Sequence, residues 1–282
     1  MKNIIYIIVV FLVIVSCNKE YDRAMKSADK EYILQIADKQ FEKKKWENAI
    51  NLYDRVKKLV AGTDEAKKVI YRTAYANYNS KNYRLAGNQF KNYAYTYYID
   101  SLAEETLYLS ATCYYKGSLD YNLDNENTDL AIKEMQEFVN KYPNSSKVSE
   151  ANSIIDELQL RKEKKAFENA KTMYKIGQYK ASSVMFDNAI EDFPDTRFRE
   201  ELMMYILRSK TSLAKESTLE LKRERLTEAL TSYKNLLKDY PNSKFKNEAE
   251  NLKSDIEKET KSTDEQLKRL EDYKKKSKTQ IS

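Results

Sequence analysis

"YPNS" at Tyr142–Ser145 recurs unchanged at Tyr240–Ser243, and "FPDT" at Phe193–Thr196 repeats the same order of ring, proline, short amide or acid, and hydroxyl. The chain has only 3 prolines, and each sits inside this phrase. Proline cannot donate a backbone hydrogen bond and denies the α conformation to the residue before it, so a helix stops at the ring. The Asn or Asp, with Ser or Thr behind it, then caps a following helix by accepting from its first free amides. One tetrapeptide therefore ends one helix and begins the next.

Eight residues before the prolines stand Met135, Phe186 and Tyr233, and four residues before those stand Ala131, Ser182 and Ala229. Two upstream copies lack proline: Trp46, Ala49 and Tyr53 in "WENAINLY", and Tyr83, Ala86 and Phe90 in "YRLAGNQF". There the turn passes to "AGT" (Ala61–Thr63) and "IDS" (Ile99–Ser101), which keep turn and cap residues without the ring. Spacings of three and four put the small and large residues on one helix face. A small residue lets a neighbouring helix approach, and the large one fills the gap beside it.

A helix-turn-helix with an aromatic opening, Ala-x3-large and a closing proline resembles the tetratricopeptide repeat, whose unit is about 34 residues. Intervals between the small residues are 37, 45, 51 and 47, so every unit is stretched. The excess falls in "GSLDYNLDNENT" (Gly117–Thr128) and "AKESTLELKRER" (Ala214–Arg225), which interrupt inner turns. It also falls in Ser146–Ile176, which has no Gly or Pro and reads as one long helix or two abutting ones. The expectation is an all-α, tetratricopeptide-repeat-like superhelix (α-solenoid) of about five helical hairpins over residues 27–258. Asn242 to about Lys258 is expected as the last packed helix, with Ala249, Leu252 and Ile256 inward, and residues 259–282 as a charged C-terminal helix fraying into a tail.

Charged residues are 33% of the 282, and Gly and Pro are scarce, which favours helix. The formal charge of +6 comes from 50 basic and 44 acidic residues and is spread along the chain. That is no concentrated phosphate-binding face, so no nucleic-acid partner is expected. The absence of histidine removes the commonest general base and zinc ligand together. With 4 glycines, at Gly62, Gly87, Gly117 and Gly177, no phosphate-cradling loop can be built. Glu104 and Glu105, being adjacent, point to different sides of a helix and cannot flank one bond. No enzymatic activity, cofactor or metal is expected.

The N-terminus carries Lys2, an apolar run from Ile4 to Val15, and "IVSC" ending at Cys17. About 12 apolar residues fall short of the roughly 20 that span a bilayer, so residues 1–16 read as a signal peptide. Ser16 before Cys17, with Ile14 and Val15 preceding, resembles the bacterial lipobox, in which the cysteine is acylated and becomes the mature N-terminus. Acyl chains gain about 0.8 kcal/mol per buried methylene, so two or more hold a soluble body to a membrane. Residues 17–26 are then a lipidated tether. Asn18, where an Asp would commonly retain a lipoprotein at the inner membrane, favours the outer membrane. Cys113, in "LYLSATCYY", reads as a buried small residue.

This lipobox, five stretched repeats, "YPNS" then "FPDT" flanking a long unbroken helix, and the opening "KEYILQIADKQFEKKKWENAINLY" together resemble the BamD family of outer membrane assembly lipoproteins. The resemblance covers roughly Tyr32 to Lys258. It implies a non-catalytic scaffold, anchored by lipid to the outer membrane on its periplasmic face. Its implied partners are the periplasmic domains of a BamA-like β-barrel insertase, through the later repeats, and unfolded outer membrane protein clients, whose C-terminal strands the early repeats receive. Proline-bearing turns frequent in the family's first two repeats are absent here. The rival reading is a tetratricopeptide lipoprotein serving another envelope process, such as secretion, gliding or cell-wall assembly.

In such arrays the first helix of each unit lines the concave face. Tyr71, Tyr75 and Tyr78 fall at i, i+4 and i+7 there, with Lys68 one turn earlier, and Leu34, Asp38 and Phe41 hold the corresponding places in the first unit. Rings beside a cation suit an aromatic-ended, carboxylate-terminated peptide; the same rings would equally pack helix against helix. Arg197, Phe198 and Arg199, just past "FPDT", read either as a partner-docking patch or as a solvated helix start.

Overall fold

A computed structural model describes the protein over residues 19–118 and 126–279. The signal segment, Cys17, most of the Gly117–Thr128 insert and the last three residues lie outside the described residues. Those described hold twelve helices and no strand. A helix over residues 19–26 (α1) precedes α2 (Lys30–Glu42) and α3 (Trp46–Val56), α4 (Glu65–Asn79) and α5 (Tyr83–Thr96), and α6 (Ala103–Gly117) and α7 (Glu126–Lys141). There follow α8 (Val148–Lys175) and α9 (Tyr179–Asp192), α10 (Arg199–Lys215) and α11 (Leu219–Asp239), and finally α12 (Lys246–Thr279). Within the first unit α2 to α7 pack on one another in chain order, and within the second so do α9 to α12, the arrangement of a tetratricopeptide-like solenoid.

The proline turns are built identically. The amide of the hydroxyl residue donates to the ring residue's carbonyl: Ser145 to Tyr142 at 3.0 Å, Thr196 to Phe193 at 3.1 Å, Ser243 to Tyr240 at 3.0 Å. The hydroxyl oxygen then accepts from the amide two residues on, at Lys147 (3.1 Å), Phe198 (3.2 Å) and Phe245 (3.0 Å). Asn144, Asp195 and Asn242, expected to share the capping, are exposed. A one-carbon hydroxyl reaches the turn's own amide, which leaves the longer side chain free to point to water.

The two turns without proline keep the pattern but shift its register. Asp100 donates through its amide to Tyr97 at 2.9 Å, and its carboxylate accepts from the Leu102 amide at 3.0 Å. The working phrase is therefore Tyr97–Asp100 and not "IDS", so a ring is present after all. In the first unit Val60 stands in the ring's place, and the Thr63 amide donates to its carbonyl at 3.0 Å.

Three inner turns share a second motif. Lys44, Lys81 and Gly177 take positive φ of 56°, 64° and 76°. The following amides reach back five residues, Lys45 to Gln40, Asn82 to Asn77 and Gln178 to Met173, each at 2.9 Å. This left-handed cap closes a helix by satisfying its orphan carbonyls. Trp46, Tyr83 or Tyr179 then opens the next helix.

All five small positions, Ala49, Ala86, Ala131, Ser182 and Ala229, are fully buried, as are Tyr53, Phe90, Met135 and Phe186; Tyr233 is 8% exposed. Burying side chains of this size stabilises by roughly 1.5–3 kcal/mol each. Gly87 marks the closest approach: a Cβ there would stand 3.0 Å from the Tyr114 ring and 3.2 Å from Cys113 Cβ. Cys113 is buried, and burial pushes its thiol up to about 12, so it is an inert packing residue.

The chain divides into two compact units, the boundary falling within α8 after Gln159. Of the two sequence alternatives for Ser146–Ile176, a single 28-residue helix is found. Its first half gives Ala151, Ile155 and Leu158 to the first unit's core, and its second half gives Ala170 to the second. Three expectations are corrected. Residues 19–26 of the tether are a helix whose Ala24 is buried against α2 and α3. Most of the Ala214–Arg225 stretch does not interrupt a turn but extends α11, since it lacks Gly and Pro. Finally, the packed part of α12 reaches Thr263, past the expected Lys258, and the charged helix expected beyond it continues unbroken to Thr279, as a Lys- and Glu-rich sequence without breakers allows.

Candidate functional site

α4 reads EAKKVIYRTAYANYN, and its Ala66, Val69, Thr73, Ala74, Ala76 and Asn77 face inward. That leaves Tyr71, Tyr75 and Tyr78 on the flank of the buried stripe, each half-buried against Ala74, Ala86, Phe90 and Cys113. The rings form a continuous row. Tyr71 stacks on Tyr75 at 6.0 Å with 29° between planes; Tyr75 meets Phe41 at 6.1 Å and Tyr78 at 6.2 Å; Tyr78 meets Tyr83 at 5.9 Å. Phe41 continues the row edge-on to Trp46 at 5.3 Å. Tyr71 also touches Phe90 and Tyr93, at 6.2 and 6.0 Å, so one side of the row belongs to the core. Offset and edge-to-face contacts of this kind are worth about 0.5–1.5 kcal/mol beyond their area, which fixes the rings' orientation.

Asp38 is the electrostatic centre of this face. Its carboxylate accepts from Tyr53 Oη at 2.7 Å and Arg72 Nη1 at 2.9 Å, and it also holds Lys68 Nζ. Arg72 reaches Glu42 at 3.3 Å and lies 4.9 Å over the Phe41 ring. Burial pushes the Tyr53 hydroxyl well above its ordinary value, with Asp38 adding to the shift. Burial and Glu105, which accepts from Tyr71 Oη at 3.2 Å, raise the Tyr71 hydroxyl to about 12. Both phenols stay neutral donors at any physiological pH.

The structure thus brings Lys68, Tyr71, Tyr75, Tyr78, Asp38 and Phe41 onto one face of the first unit. Leu34 packs against the core beneath it. Lys68 is tied to Asp38, so a peptide carboxylate arriving there competes with a carboxylate already in place. Arg72, a second cation on the same carboxylate, was missed in the sequence; its spacing of four from Lys68 was the available signal.

Arg197, Phe198 and Arg199 do not form one patch. Phe198 turns inward and stacks on Phe167 at 5.8 Å with 23° between planes. Arg199 Nη1 donates to the Pro194 carbonyl at 3.1 Å, closing its own turn, and Arg197 is exposed. Among the described residues no group of His, Cys, Asp and Glu is placed to hold a metal ion.

The family model for YfiO, described as an outer membrane lipoprotein, matches residues 26–162 and again 159–260. Outer membrane protein assembly factor BamD of Caulobacter vibrioides is 27% identical over 143 residues, which are 48% of this chain and 47% of that protein. The chain thus spans about half the length of this curated relative. A solved structure from "Computational Design of Self-Assembling Cyclic Protein Homooligomers" covers 97% of the chain, and is itself covered over 99% of its length, at 14% identity with a TM-score of 0.24, too low to bear on the fold. With the repeat register, the long α8 and family matches running through residues 26–260, the chain belongs to the YfiO family of outer membrane lipoproteins.

Proposed function

We propose that this protein is a lipid-anchored scaffold of β-barrel assembly, held by an acylated Cys17 to the periplasmic face of the outer membrane. The family match over both units carries this reading, and the assembly-factor name borne by its Caulobacter relative supports it. The later repeats dock the periplasmic domains of a BamA-like insertase, with exposed Arg197 at the docking turn. The early repeats receive client C-terminal strands along the ring row of α4.

Stacked hairpins suit this work because a rigid face presents side chains at fixed spacing, and half-buried rings add contact area at little rotamer cost. A client's terminal carboxylate would exchange with Asp38 for Lys68 and Arg72, while its aromatic ends lie on Tyr71 and Tyr75. Affinity purification from membranes tests the partner: recovery of a protein with repeated periplasmic domains and a C-terminal barrel, lost in Arg197→Glu, is the expected result. Recovery instead of a secretion, gliding or cell-wall complex would replace the reading. For the groove, Tyr71→Ala with Tyr75→Ala is expected to weaken binding of an aromatic-ended client peptide at least tenfold; unchanged affinity in a folded variant would assign those rings to packing alone.

A further inference from the structure

The end of the first unit that carries its first two inner turns is basic and unpaired. Lys44, Lys45, Lys81 and Arg84 are all exposed there, and none makes an ion pair among the described residues. Elsewhere in the unit Lys30, Lys39, Lys67, Lys68, Arg72 and Lys91 each meet a carboxylate. Lys44 and Lys81 also occupy left-handed positions, where Gly would be less strained. The two turns lie at the same end of adjacent hairpins, which Phe41 and Tyr75 join at 6.1 Å.

Apolar side chains accompany the cations. Leu85 is 50% exposed in the first turn of α5, and Trp46 and Tyr83 open their helices half-buried at the same end. Trp, Tyr and an exposed aliphatic among lysines is the composition that settles at a bilayer's headgroup level.

The chain also enters the unit at this end. Glu20 in the first turn of α1 pairs with Lys39, one turn before the end of α2, while Ser27 at the far end of α1 accepts from Arg55 near the end of α3. The first described helix therefore begins at the end of the unit that carries Lys44 and Lys45.

We infer that this edge, Lys44, Lys45, Lys81 and Arg84 with Leu85 beside them, rests on an anionic phospholipid surface and fixes the orientation of the first unit on the membrane. Lipid at Cys17 alone would let the body swing. Juxtamembrane cations gain roughly fivefold in binding each, and the attraction is screened within a Debye length. The inference rests on the lipid-anchored reading for its location, but the contact itself needs no acyl chain.

The test uses the mature chain from residue 17 onward carrying Cys17→Ser, so that neither acylation nor the apolar run of residues 4–15 plays a part, and vesicles of phosphatidylcholine with or without 30% phosphatidylglycerol. The parent should sediment with the anionic vesicles and be released by half-molar salt. Lys44, Lys45, Lys81 and Arg84→Gln together should weaken that binding more than tenfold, with far-UV circular dichroism unchanged. A control with the same charge change elsewhere, Lys57, Lys58, Lys234 and Lys238→Gln, should bind as the parent does. Equal loss in both variants, or loss in neither, overturns the proposal. Acylation of Cys17 is read separately by mass spectrometry of the unmutated protein, so failure of either idea is visible without the other.

Discussion

Replacing Gly177 by Ala and Lys81 by Gly should change stability by similar amounts in opposite directions. Both residues sit at the left-handed position of the same helix-closing turn, at φ of 76° and 64°. Nothing lies within 4 Å of where a Cβ on Gly177 would stand, so Gly177→Ala makes no clash and acts only through the backbone. A side chain in this region costs about 1–2 kcal/mol, while removing Gly restricts the unfolded chain and returns roughly 0.5–1 kcal/mol. The net expectation is a loss of about 1 kcal/mol for Gly177→Ala, and for Lys81→Gly the reverse arithmetic gives a gain of about 0.5–1 kcal/mol. The double variant should lie near the parent, because distant sites add. Urea titration at 25 °C reads this as midpoint shifts of roughly 0.4 M with unchanged slope. Circular dichroism follows the whole chain, and the single Trp46 reports the first unit. If both variants were destabilised, or if Lys81→Gly were neutral, the strain assigned to these turns would not exist.

Gly87→Ala should destabilise despite an intrinsic helix preference of about 1 kcal/mol for Ala, because the new methyl meets the Tyr114 ring at 3.0 Å and Cys113 Cβ at 3.2 Å. Thermal melting would show a lower midpoint, and a rise would mean that Tyr114 swings aside freely. Lys91 donates to Glu134 at 2.7 Å and Glu137 at 2.9 Å, and Glu134 is 5% exposed. Lys91→Met strands that carboxylate and should cost about 2–3 kcal/mol, discounted from the fully buried case because Lys91 is partly exposed; Lys91→Met with Glu134→Leu should recover much of the loss. In acid, the hydroxyl of Thr63, together with the backbone amide and Lys30, holds Glu65 down to about 2, against 4.5. A lowered carboxylate contributes stability above its unfolded value, and that contribution is lost as pH falls through the folded one. Melting temperature should therefore drop between about pH 4.5 and pH 2, and Glu65→Gln should flatten part of that drop.

What could be read from the sequence depended on whether a residue type is rare for a physical reason. Proline is excluded from helix interiors, so three prolines in a chain of helices had to mark ends, and the register they fixed located all five buried small residues. Lys44 and Lys81 carry no such signal. Lysine is ordinary on any helix surface, and only the backbone reveals that these two close helices in the place where Gly177 is legible. The same asymmetry explains the turn at Tyr97–Asp100, where Asp takes over from Ser: either oxygen satisfies the amide two residues on, so chemistry was conserved while spelling changed.

The α4 face divides along the same line. Periodicity placed Tyr71, Tyr75 and Tyr78 together, because a helix of 3.6 residues per turn leaves no other choice. It could not show that Asp38, from the neighbouring hairpin, neutralises Lys68 and engages Arg72, since contacts between hairpins depend on packing distance and not on spacing within one helix. That contact changes what the face can do. A bare lysine would attract any anion, whereas a lysine and an arginine sharing one carboxylate admit a second carboxylate only by exchange, and exchange favours a ligand whose rings also find Tyr71 and Tyr75. Asp38→Asn separates the two cases. If exchange governs, freeing both cations should tighten binding of a carboxylate-terminated aromatic peptide severalfold and also let short anionic peptides without rings bind. If the variant binds neither better, the cations are structural and the rings alone select the ligand.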